Sequence, residues 1–407
     1  MAIFADVVQK NIKVRFFYDI YERVPVFVKS LLLLIYGLKC YLSIGWRRAG
    51  TADLAVFASY PNEHVAIRHV LHHVRSVTVG EMAASKRNCF RLSAFRALPA
   101  YLVSAPRLLR IARMLARRFH FMPACRIFST MTFYARFLQL LERPGVKAVL
   151  IANHYSPECL ALAAAAHRLG RKVLFTNHAN ATWDEGYVPP LMSDLAAVTS
   201  QAVLDIYRQH TGTDIRAVFV PLPAPQRPMQ YAFPPAQPIT VGIFLTALTN
   251  MERLGNLVTE LEQIPNLAGI LIRPHPAKVI KEDLSGLCAR DERIRETFGM
   301  PLDENIQLCD IVICGNSTVT VELLRGGVPV LYDASLDSLP YDYNGYIKRG
   351  LVLPAPLQLD ASVLQAAGAF YGGPSWVGTM RYFDAGYLQD EDAMLEGLDD
   401  TIRELTR

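Results

Sequence analysis

Two short polar clusters in the second half of the chain hold side chains that could bind and cleave a phosphate ester. They are Arg273-Pro274-His275-Pro276 and Asn316-Ser317-Thr318, and each follows an apolar run typical of a strand. The hydroxyls of Ser317 and Thr318 precede a predicted helix, Thr318–Arg325, whose N-terminal N–H groups can bind a phosphate. A histidine in a turn fixed by prolines can donate to the same phosphate or protonate a leaving group. The clusters therefore predict a site for a nucleotide-activated donor.

Two further polar positions in this half could complete the site. Glu322 lies one turn into the predicted helix and could accept a hydrogen bond from a ribose hydroxyl, or be an ordinary surface residue. A turn after the predicted strand Ile239–Leu245 carries Thr246 and Asn250 at its two ends. These side chains could face the phosphates, and the alternative is that they only cap the helix that follows.

The first half of the chain has one acidic loop that could activate an acceptor. Asp184-Glu185-Gly186 follows the predicted strand Lys172–Thr176, and one of the two carboxylates could act as a general base. His178, at the end of the same strand, is an alternative base or an acceptor ligand. The competing interpretations are a turn with solvated charges and a hydrogen-bonded loop histidine.

These three motifs, an acidic pair before glycine, then His-Pro, then Ser-Thr, resemble the motif set of bacterial sialyltransferases and polysialyltransferases. The resemblance implies an α/β protein of the GT-B fold, with two Rossmann-like domains facing each other across a cleft. It also implies an inverting glycosyltransferase of capsule or lipopolysaccharide biosynthesis. Such an enzyme would transfer sialic acid or a related nonulosonic acid from a CMP-activated donor to a glycan or lipid-linked glycan acceptor.

The same resemblance implies a role for each matching residue. Asp184 would deprotonate the acceptor hydroxyl, with Glu185 beside it, and His275 would bind the CMP phosphate and assist its departure. Ser317 and Thr318 would hold that phosphate. The predicted nucleotide site also includes the neighbouring residues Arg273, Pro276 and Asn316. Because Kdo transferases and CDP-glycerol polymerases share the His-Pro and Ser/Thr features, a UDP-sugar or a CDP-polyol is the alternative donor.

The elements that must position these residues alternate between strand and helix, and ligands in such sheets bind beyond the carboxyl ends of the strands. The chain has 407 residues, whereas single cores stop growing at about 250–300 residues, so two domains are expected. Residues 221–238 hold seven prolines in eighteen positions and are predicted to be a linker. The predicted parts are an N-terminal helical segment, an acceptor-side Rossmann-like domain, the linker and a donor-binding Rossmann-like domain: 1–50, 51–220, 221–238 and 239–407.

Positive charge is concentrated in one stretch of the chain. Residues 82–141 contain eleven Lys and Arg and no Asp or Glu, within a net charge of +5. Together with residues 1–50, which are apolar with basic flanks, this stretch predicts contact with an anionic membrane surface. A buried N-terminal helix and a nucleic-acid-binding surface are the alternatives. The second is disfavoured, because the stretch is rich in Leu, Ile and Met and contains no nucleic-acid-binding motif.

The cysteines and histidines give no sign of a metal or a cofactor. Seven cysteines are scattered without a C-x-x-C pair, which predicts reduced thiols and a cytoplasmic protein. His69, His72 and His73 share a predicted helix, where an amphipathic surface is favoured over a metal face. The predicted location is therefore the inner face of the bacterial cytoplasmic membrane, with peripheral attachment.

Overall fold

A computed structural model of the protein describes residues 12–48, 52–142, 145–179, 182, 191–211, 215–230, 237–246, 248–275, 283–338, 340–355 and 361–407. Its strands form two sheets, one of seven strands and one of six. The first sheet lies between residues 44 and 219, and the second lies between residues 239 and 354. Of the predicted linker, residues 221–230, 237 and 238 are described, and none of them belongs to a helix or a strand.

The first sheet has the strand order β1-β3-β2-β4-β5-β6-β7. Its strands are β1 (Ile44–Arg48), β2 (Leu54–Phe57), β3 (Val79–Ala84), β4 (Ala148–Ile151), β5 (Lys172–Thr176), β6 (Leu195–Val198) and β7 (Ala217–Phe219). Only the pairing of β1 with β3 is antiparallel. Every residue of β4 is buried, as expected for a central parallel strand covered on both faces.

The helices of this half are α1 (Ile12–Arg23), α2 (Val26–Ser43), α3 (Pro61–His72), α4 (Leu92–Arg118), α5 (Phe121–Leu141), α6 (Pro157–Arg168) and α7 (Gln201–Thr211). Helices α1, α2, α4 and α5 share a buried apolar cluster and form a helical layer. The layer joins the sheet through α5, whose Phe137 ring lies 5.4 Å from that of Phe57 in β2.

The N-terminal segment is not helical throughout, contrary to the sequence-based prediction for residues 1–50. Residues 44–48 form β1, whose Ile44 and Trp46 side chains are buried in the same cluster as Phe137. Alternate residues of a strand share one face, so both side chains reach the core from β1. The burial of Ile44 and Trp46 in the first domain therefore outweighs the helical sequence pattern at the end of residues 1–50.

The second sheet has the order β10-β9-β8-β11-β12-β13, and all of its pairings are parallel. Its strands are β8 (Ile239–Phe244), β9 (Leu267–Arg273), β10 (Ile294–Glu296), β11 (Ile311–Cys314), β12 (Val330–Tyr332) and β13 (Leu353–Pro354). The helices are α8 (Met251–Leu261), α9 (Ser285–Cys288), α10 (Leu302–Gln307), α11 (Val319–Arg325), α12 (Ala361–Tyr371), α13 (Pro374–Phe383) and α14 (Glu391–Leu405).

The last helix, α14, packs against the first sheet rather than the second. Its Leu395, Leu398 and Ile402 are buried in one cluster with Val56 of β2 and Leu150 of β4. The sequence-based prediction assigned α14 to the donor-binding domain, because the helix follows the rest of that domain along the chain. The chain therefore crosses twice between the two halves.

Candidate active site

The loops after β8 and β11 flank the point at which the second sheet reverses its strand order. Counted along the chain, the strands lie in the order 3-2-1-4-5-6, so β8 and β11 are neighbours. Connections that leave neighbouring strands in opposite directions open a crevice, where ligands of open α/β sheets bind. Thr246 follows β8, and Asn316, Ser317 and Thr318 follow β11. The structure thus brings these predicted residues to one end of one sheet.

Asp337 joins these two loops through its carboxylate. The Thr246 hydroxyl donates to Oδ1, and the Asn316 backbone N–H donates to Oδ2 at 2.5 Å. A Cβ atom at Gly315 would lie 2.1 Å from Oδ2, so only glycine fits beside this carboxylate. Burial raises the pKa of Asp337, and the hydrogen bonds oppose that rise. No sequence pattern singles out Asp337, since it lies 21 residues beyond Asn316.

The backbone after β11 uses most of its N–H groups within the protein. The N–H of Ser317 donates to the Gly315 carbonyl at 2.8 Å, and the N–H of Val319 donates to the Ser317 hydroxyl at 3.4 Å. Helix α11 begins at Val319, and the partly exposed Thr318 side chain makes no capping hydrogen bond. The Thr318 hydroxyl is therefore the group of this cluster best placed to contact a ligand.

Arg273 and Glu322 connect the His-Pro and Ser-Thr clusters electrostatically. Arg273 ends β9, its Nη1 donates to the Met300 carbonyl at 2.8 Å, and its guanidinium lies 6.0 Å from the Phe244 ring centre. Glu322 of α11 is closely surrounded by protein atoms but keeps part of its surface exposed. Burial raises the pKa of Glu322 to about 7, and the charge of Arg273 opposes the rise.

His275 lies two residues beyond β9 and is partly buried. Burial lowers the pKa of its imidazole below the ordinary value of 6.5, so the ring is neutral at pH 7. A neutral imidazole offers one N–H donor and one acceptor nitrogen. His275 can thus donate to a phosphate, whereas the positive charge in this region comes from Arg273.

Asn316 organises a loop that reaches the first half. Its Oδ1 accepts from the N–H of Tyr343 at 2.8 Å, and its Nδ2 donates to the Tyr341 carbonyl at 2.9 Å. The next residue, Asn344, accepts at its carbonyl from the Thr182 hydroxyl at 2.8 Å. Since Thr182 belongs to the loop after β5, this bond links the carboxyl edges of the two sheets. Nucleotide contact by Asn316 stays a prediction.

A buried carboxylate also marks the strand-order reversal of the first sheet, between β2 and β4. Glu63, in the first turn of α3, is fully buried. It accepts from the N–H of Ser59, after β2, at 2.7 Å and from the side-chain amide of Asn153, after β4, at 3.1 Å. The helix-start spacing Tyr60-Pro61-Asn62-Glu63, in which the third helical residue reaches back, is the signal that could have identified Glu63.

His178 lies at this edge with a fixed tautomer. Its Nδ1 is 2.5 Å from the carbonyl oxygen of Ala152, which follows β4. A carbonyl oxygen only accepts, so Nδ1 carries the proton of the neutral ring and Nε2 keeps a lone pair. This arrangement suits a general base.

His154, which follows β4 as His178 follows β5 but was not among the predicted site residues, is buried beside His178. Its Nδ1 lies 3.2 Å from the Tyr207 hydroxyl, and its buried Nε2 has no hydrogen-bond partner within the described part of the chain. Burial, and then the proximity of His178, lower the pKa of His154 to about 4. His154 is therefore neutral at pH 7.

Asp184, Glu185 and Pro276 lie outside the described residues, so their assigned roles stay predictions. Asn250 is exposed and caps α8, accepting at its side chain from the N–H of Arg253 at 3.2 Å. Its contact with a nucleotide also stays a prediction. Among the residues that the structure describes, no group of three or more His, Cys, Asp or Glu could hold a metal ion.

No protein-family model and no curated protein sequence matches this chain. Several solved structures are similar to it in fold. The glycosyltransferase of kitacinnamycin matches 88% of this chain and 100% of its own, with 12% identity and a TM-score of 0.52. A UDP-N-acetylglucosamine 2-epimerase matches 87% and 96%, with 10% identity and a TM-score of 0.51. CalG4, the calicheamicin glycosyltransferase, matches 87% and 98%, with 10% identity and a TM-score of 0.50. The chain therefore has the GT-B fold of two Rossmann-like domains, as the motif resemblance implied.

Proposed function

We propose that the protein is an inverting glycosyltransferase of cell-surface polysaccharide biosynthesis that takes its sugar from a nucleotide-activated donor. The observation that supports the proposal is the electrostatic interaction of Arg273 with Glu322 near the strand-order reversal of a GT-B domain, with His275 two residues beyond Arg273. They supply a cation, a neutral N–H donor and a carboxyl group. These groups suit the phosphate and the ribose of a nucleotide.

In this reaction a base removes the acceptor hydroxyl proton, and the hydroxyl oxygen attacks the anomeric carbon. The bond from that carbon to the phosphate oxygen breaks, and the phosphate leaves with the electron pair. Its developing negative charge is stabilised by fixed donors and cations, here Arg273, His275 and Thr318. Asp184 is the proposed base with Glu185 beside it, and His178 is the alternative because its Nε2 lone pair is held in place.

A CMP-activated nonulosonic acid is the first donor to test, because the three motifs in order resemble those of sialyltransferases. A UDP-sugar is the second candidate. It is favoured by the fold similarity to a UDP-N-acetylglucosamine 2-epimerase, at a TM-score of 0.51. Both donors would bind in the same crevice. They differ in the nucleobase that the protein must recognise.

Nucleotide binding tests the proposal directly. Thermal unfolding would be measured with CMP, CDP, UDP and GDP for the wild type and for His275→Ala. A nucleotide at about 100 times its Kd adds about 2.7 kcal/mol to the free energy of unfolding, which is a readily measured rise in Tm. We expect CMP to raise Tm in the wild type and much less in His275→Ala.

The matched control is His72→Ala, which removes an exposed histidine from α3 and should keep the full response to CMP. Selective stabilisation by UDP would assign the second donor. No response of the wild type to any of the four nucleotides would contradict the proposal.

A further inference from the structure

Helix α2 has two apolar faces, and only one of them packs against the protein. Leu33 and Tyr41 are buried among residues of α4 and α5. The opposite face exposes Phe27, Leu31 and Ile35, at 58%, 39% and 66% of their surface. A helix that is apolar all round is normally buried on all sides. Among the described residues, none covers the outer apolar face of α2, although a helix of this composition is normally buried.

This outer face is a continuous stripe over three turns. Its six residues, here called the α2 stripe, are Phe27, Val28, Leu31, Leu32, Ile35 and Tyr36. Single exposed apolar side chains are normal on a soluble protein, but contiguous patches mark interaction surfaces. The stripe is such a patch.

The packing of α2 shows how it could meet a membrane. It is the one helix among the described residues that is long and apolar enough to cross a bilayer, with 18 residues and a mean hydropathy of 1.6. However, a Cβ atom at Gly37 would lie 2.4 Å from a ring carbon of Phe128, so the α2 backbone lies directly against α5. Since α5 also packs on the first sheet, α2 is held on the surface of the first domain. Such a helix can lie along a membrane surface without crossing it.

Exposed basic residues lie at one end of the stripe and on the helix that packs beside α2. Lys39 is exposed one turn beyond it, and the Cys89 thiol contacts the Lys39 carbonyl at 3.9 Å. That contact places the exposed Lys86 and Arg87 beside the C-terminal end of α2. Helix α4 packs alongside α2 and carries five exposed arginines: Arg107, Arg110, Arg113, Arg117 and Arg118. Residues 82–141 contain no Asp or Glu, and the acidic side chains near α2 come from other parts of the chain: Glu22 pairs with Lys29 at 3.5 Å, and Glu158 lies near Tyr36.

We propose that the α2 stripe inserts into the surface of an anionic phospholipid membrane, while the neighbouring basic residues contact the lipid headgroups. Interfacial helices bind through buried apolar area together with attraction to anionic lipid. An apolar stripe with exposed basic residues at one end and on the neighbouring helix α4 is complementary to that surface. The sequence predicted membrane contact over residues 1–50 and 82–141, and the structure narrows the inserted part to one helix face.

This attachment would hold the acceptor-side edge close to the membrane. Arg126 of α5 donates to the Tyr155 carbonyl in the loop after β4, at the carboxyl edge of the first sheet. Since α5 also packs on α2, the membrane-contacting helix and that edge belong to one connected layer. A lipid-linked acceptor would then reach the first domain without leaving the membrane.

Vesicle binding by the full chain tests the proposal. The wild type, Phe27→Ser/Ile35→Ser and Phe298→Ser would be sedimented with phosphatidylcholine vesicles, with and without phosphatidylglycerol. Phe298 is 53% exposed in the second domain and serves as the matched control for Phe27. We expect the wild type and Phe298→Ser to bind the anionic vesicles, and to bind less as salt rises. The double variant should bind at least about tenfold more weakly, given the apolar area it loses.

Two additional measurements exclude trivial causes. Circular dichroism and Tm of the double variant should match the wild type, because both side chains are exposed. Phe27→Trp, which keeps the stripe apolar, should bind vesicles like the wild type. Equal vesicle binding by the double variant, or no binding by the wild type at low salt, would overturn the proposal. It would also be overturned if the wild type formed a dimer that the double variant lost, since a second copy would then cover the stripe.

Discussion

The fold shifts the pKa of the Glu322 carboxyl group toward neutral pH. Burial raises its pKa from the ordinary 4.5 to about 7. Below pH 4.5 the group is protonated in both the folded and the unfolded chain, so it adds no penalty. Between pH 4.5 and 7 the unfolded chain loses its proton first, and stability falls as pH rises. Above pH 7 the penalty is complete.

We therefore predict that Glu322→Gln changes how stability depends on pH. The amide cannot ionise, so the variant should gain stability relative to the wild type as pH rises from 5 to 8.5. The pKa of Glu322 rises from 4.5 to about 7, and each pH unit corresponds to about 1.4 kcal/mol. The gain in the free energy of unfolding is therefore at most about 3 kcal/mol, and the partial exposure of the side chain makes it smaller. Urea unfolding at both pH values measures the effect.

Glu396→Gln, on the exposed side of α14, is the control for removing a carboxylate. It should shift stability equally at both pH values. An equal shift at both pH values for Glu322→Gln as well would show that the Glu322 carboxyl group is not held near neutrality.

The identity of the general base is a second question at the residue scale. With Asp184 as base, Asp184→Asn should lower kcat by about 10²-fold or more, the usual contribution of proton transfer. His178→Gln, which loses the ring but keeps a hydrogen-bonding side chain, should cost clearly less. Single-turnover rates across pH 5–8 measure both. A larger loss for His178→Gln than for Asp184→Asn would make His178 the base instead.

The candidate site could be predicted only where its residues are close in sequence to a strand end. Thr246, His275 and Thr318 each follow a strand, as the sequence predicted, and that position is what makes them candidates. Asp337 and Glu63 carry no such signal, although each buried carboxylate ties together two loops at a strand-order reversal. The partners of Asp337 are brought near only by the folded sheet, so sequence spacing could not identify it, whereas the helix-start spacing could have identified Glu63 as a capping residue but not its bond to Asn153.

At the scale of elements, Arg325 holds three segments together. It is fully buried at the end of α11, and its Nη1 pairs with the buried Asp384 at 2.6 Å. Its Nε donates to the Ala224 carbonyl in the linker at 2.6 Å, and its Nη2 contacts Glu391 at the start of α14. One guanidinium thus connects the second domain, the linker and the helix that returns to the first domain.

Arg325→Met should be strongly destabilising, because it leaves the Asp384 carboxylate buried without its partner. Breaking a buried ion pair on one side costs about 3–5 kcal/mol. Burial already raises the pKa of Asp384, and Arg325 opposes that rise. Chemical unfolding of Arg325→Met against the wild type measures the loss.

The double variant Arg325→Met/Asp384→Leu separates the buried charge from the lost packing. Replacing both members of a buried pair by apolar groups is often neutral, so the double variant should be more stable than Arg325→Met. If the single and double variants unfold at the same denaturant concentration, the unpaired carboxylate is not the cause.

Elements with local signals were predicted well, and elements that depend on distant packing were not. The sequence Ser156-Pro157-Glu158 predicts a helix start, and Ser156 caps α6 by accepting from the N–H of Cys159 at 3.3 Å. Strand β5 has the predicted bounds, Lys172–Thr176. Strand β1 was missed, because its antiparallel pairing with β3 and its burial under α5 override a sequence that continues the helical run.

At the scale of the whole molecule, the last helix makes the stability of the first domain depend on the end of the chain. Leu398 of α14 is fully buried among residues of β2 and β4, more than two hundred residues away in sequence. Leu398→Ala should therefore destabilise the first domain by about 2–5 kcal/mol, the usual cost of removing a buried leucine side chain. Hydrogen exchange resolved by strand can locate the loss.

We expect Leu398→Ala to speed exchange in β2 and β4 more than in β8 and β11, because its contacts are with the first sheet. Glu396→Ala, on the exposed side of the same helix, removes no buried contact and should leave both sheets unchanged. Equal acceleration in both sheets would mean that the domains unfold as one unit, with α14 and the Arg325 contacts transmitting the loss. Acceleration confined to the second sheet would contradict the packing of α14 on the first domain.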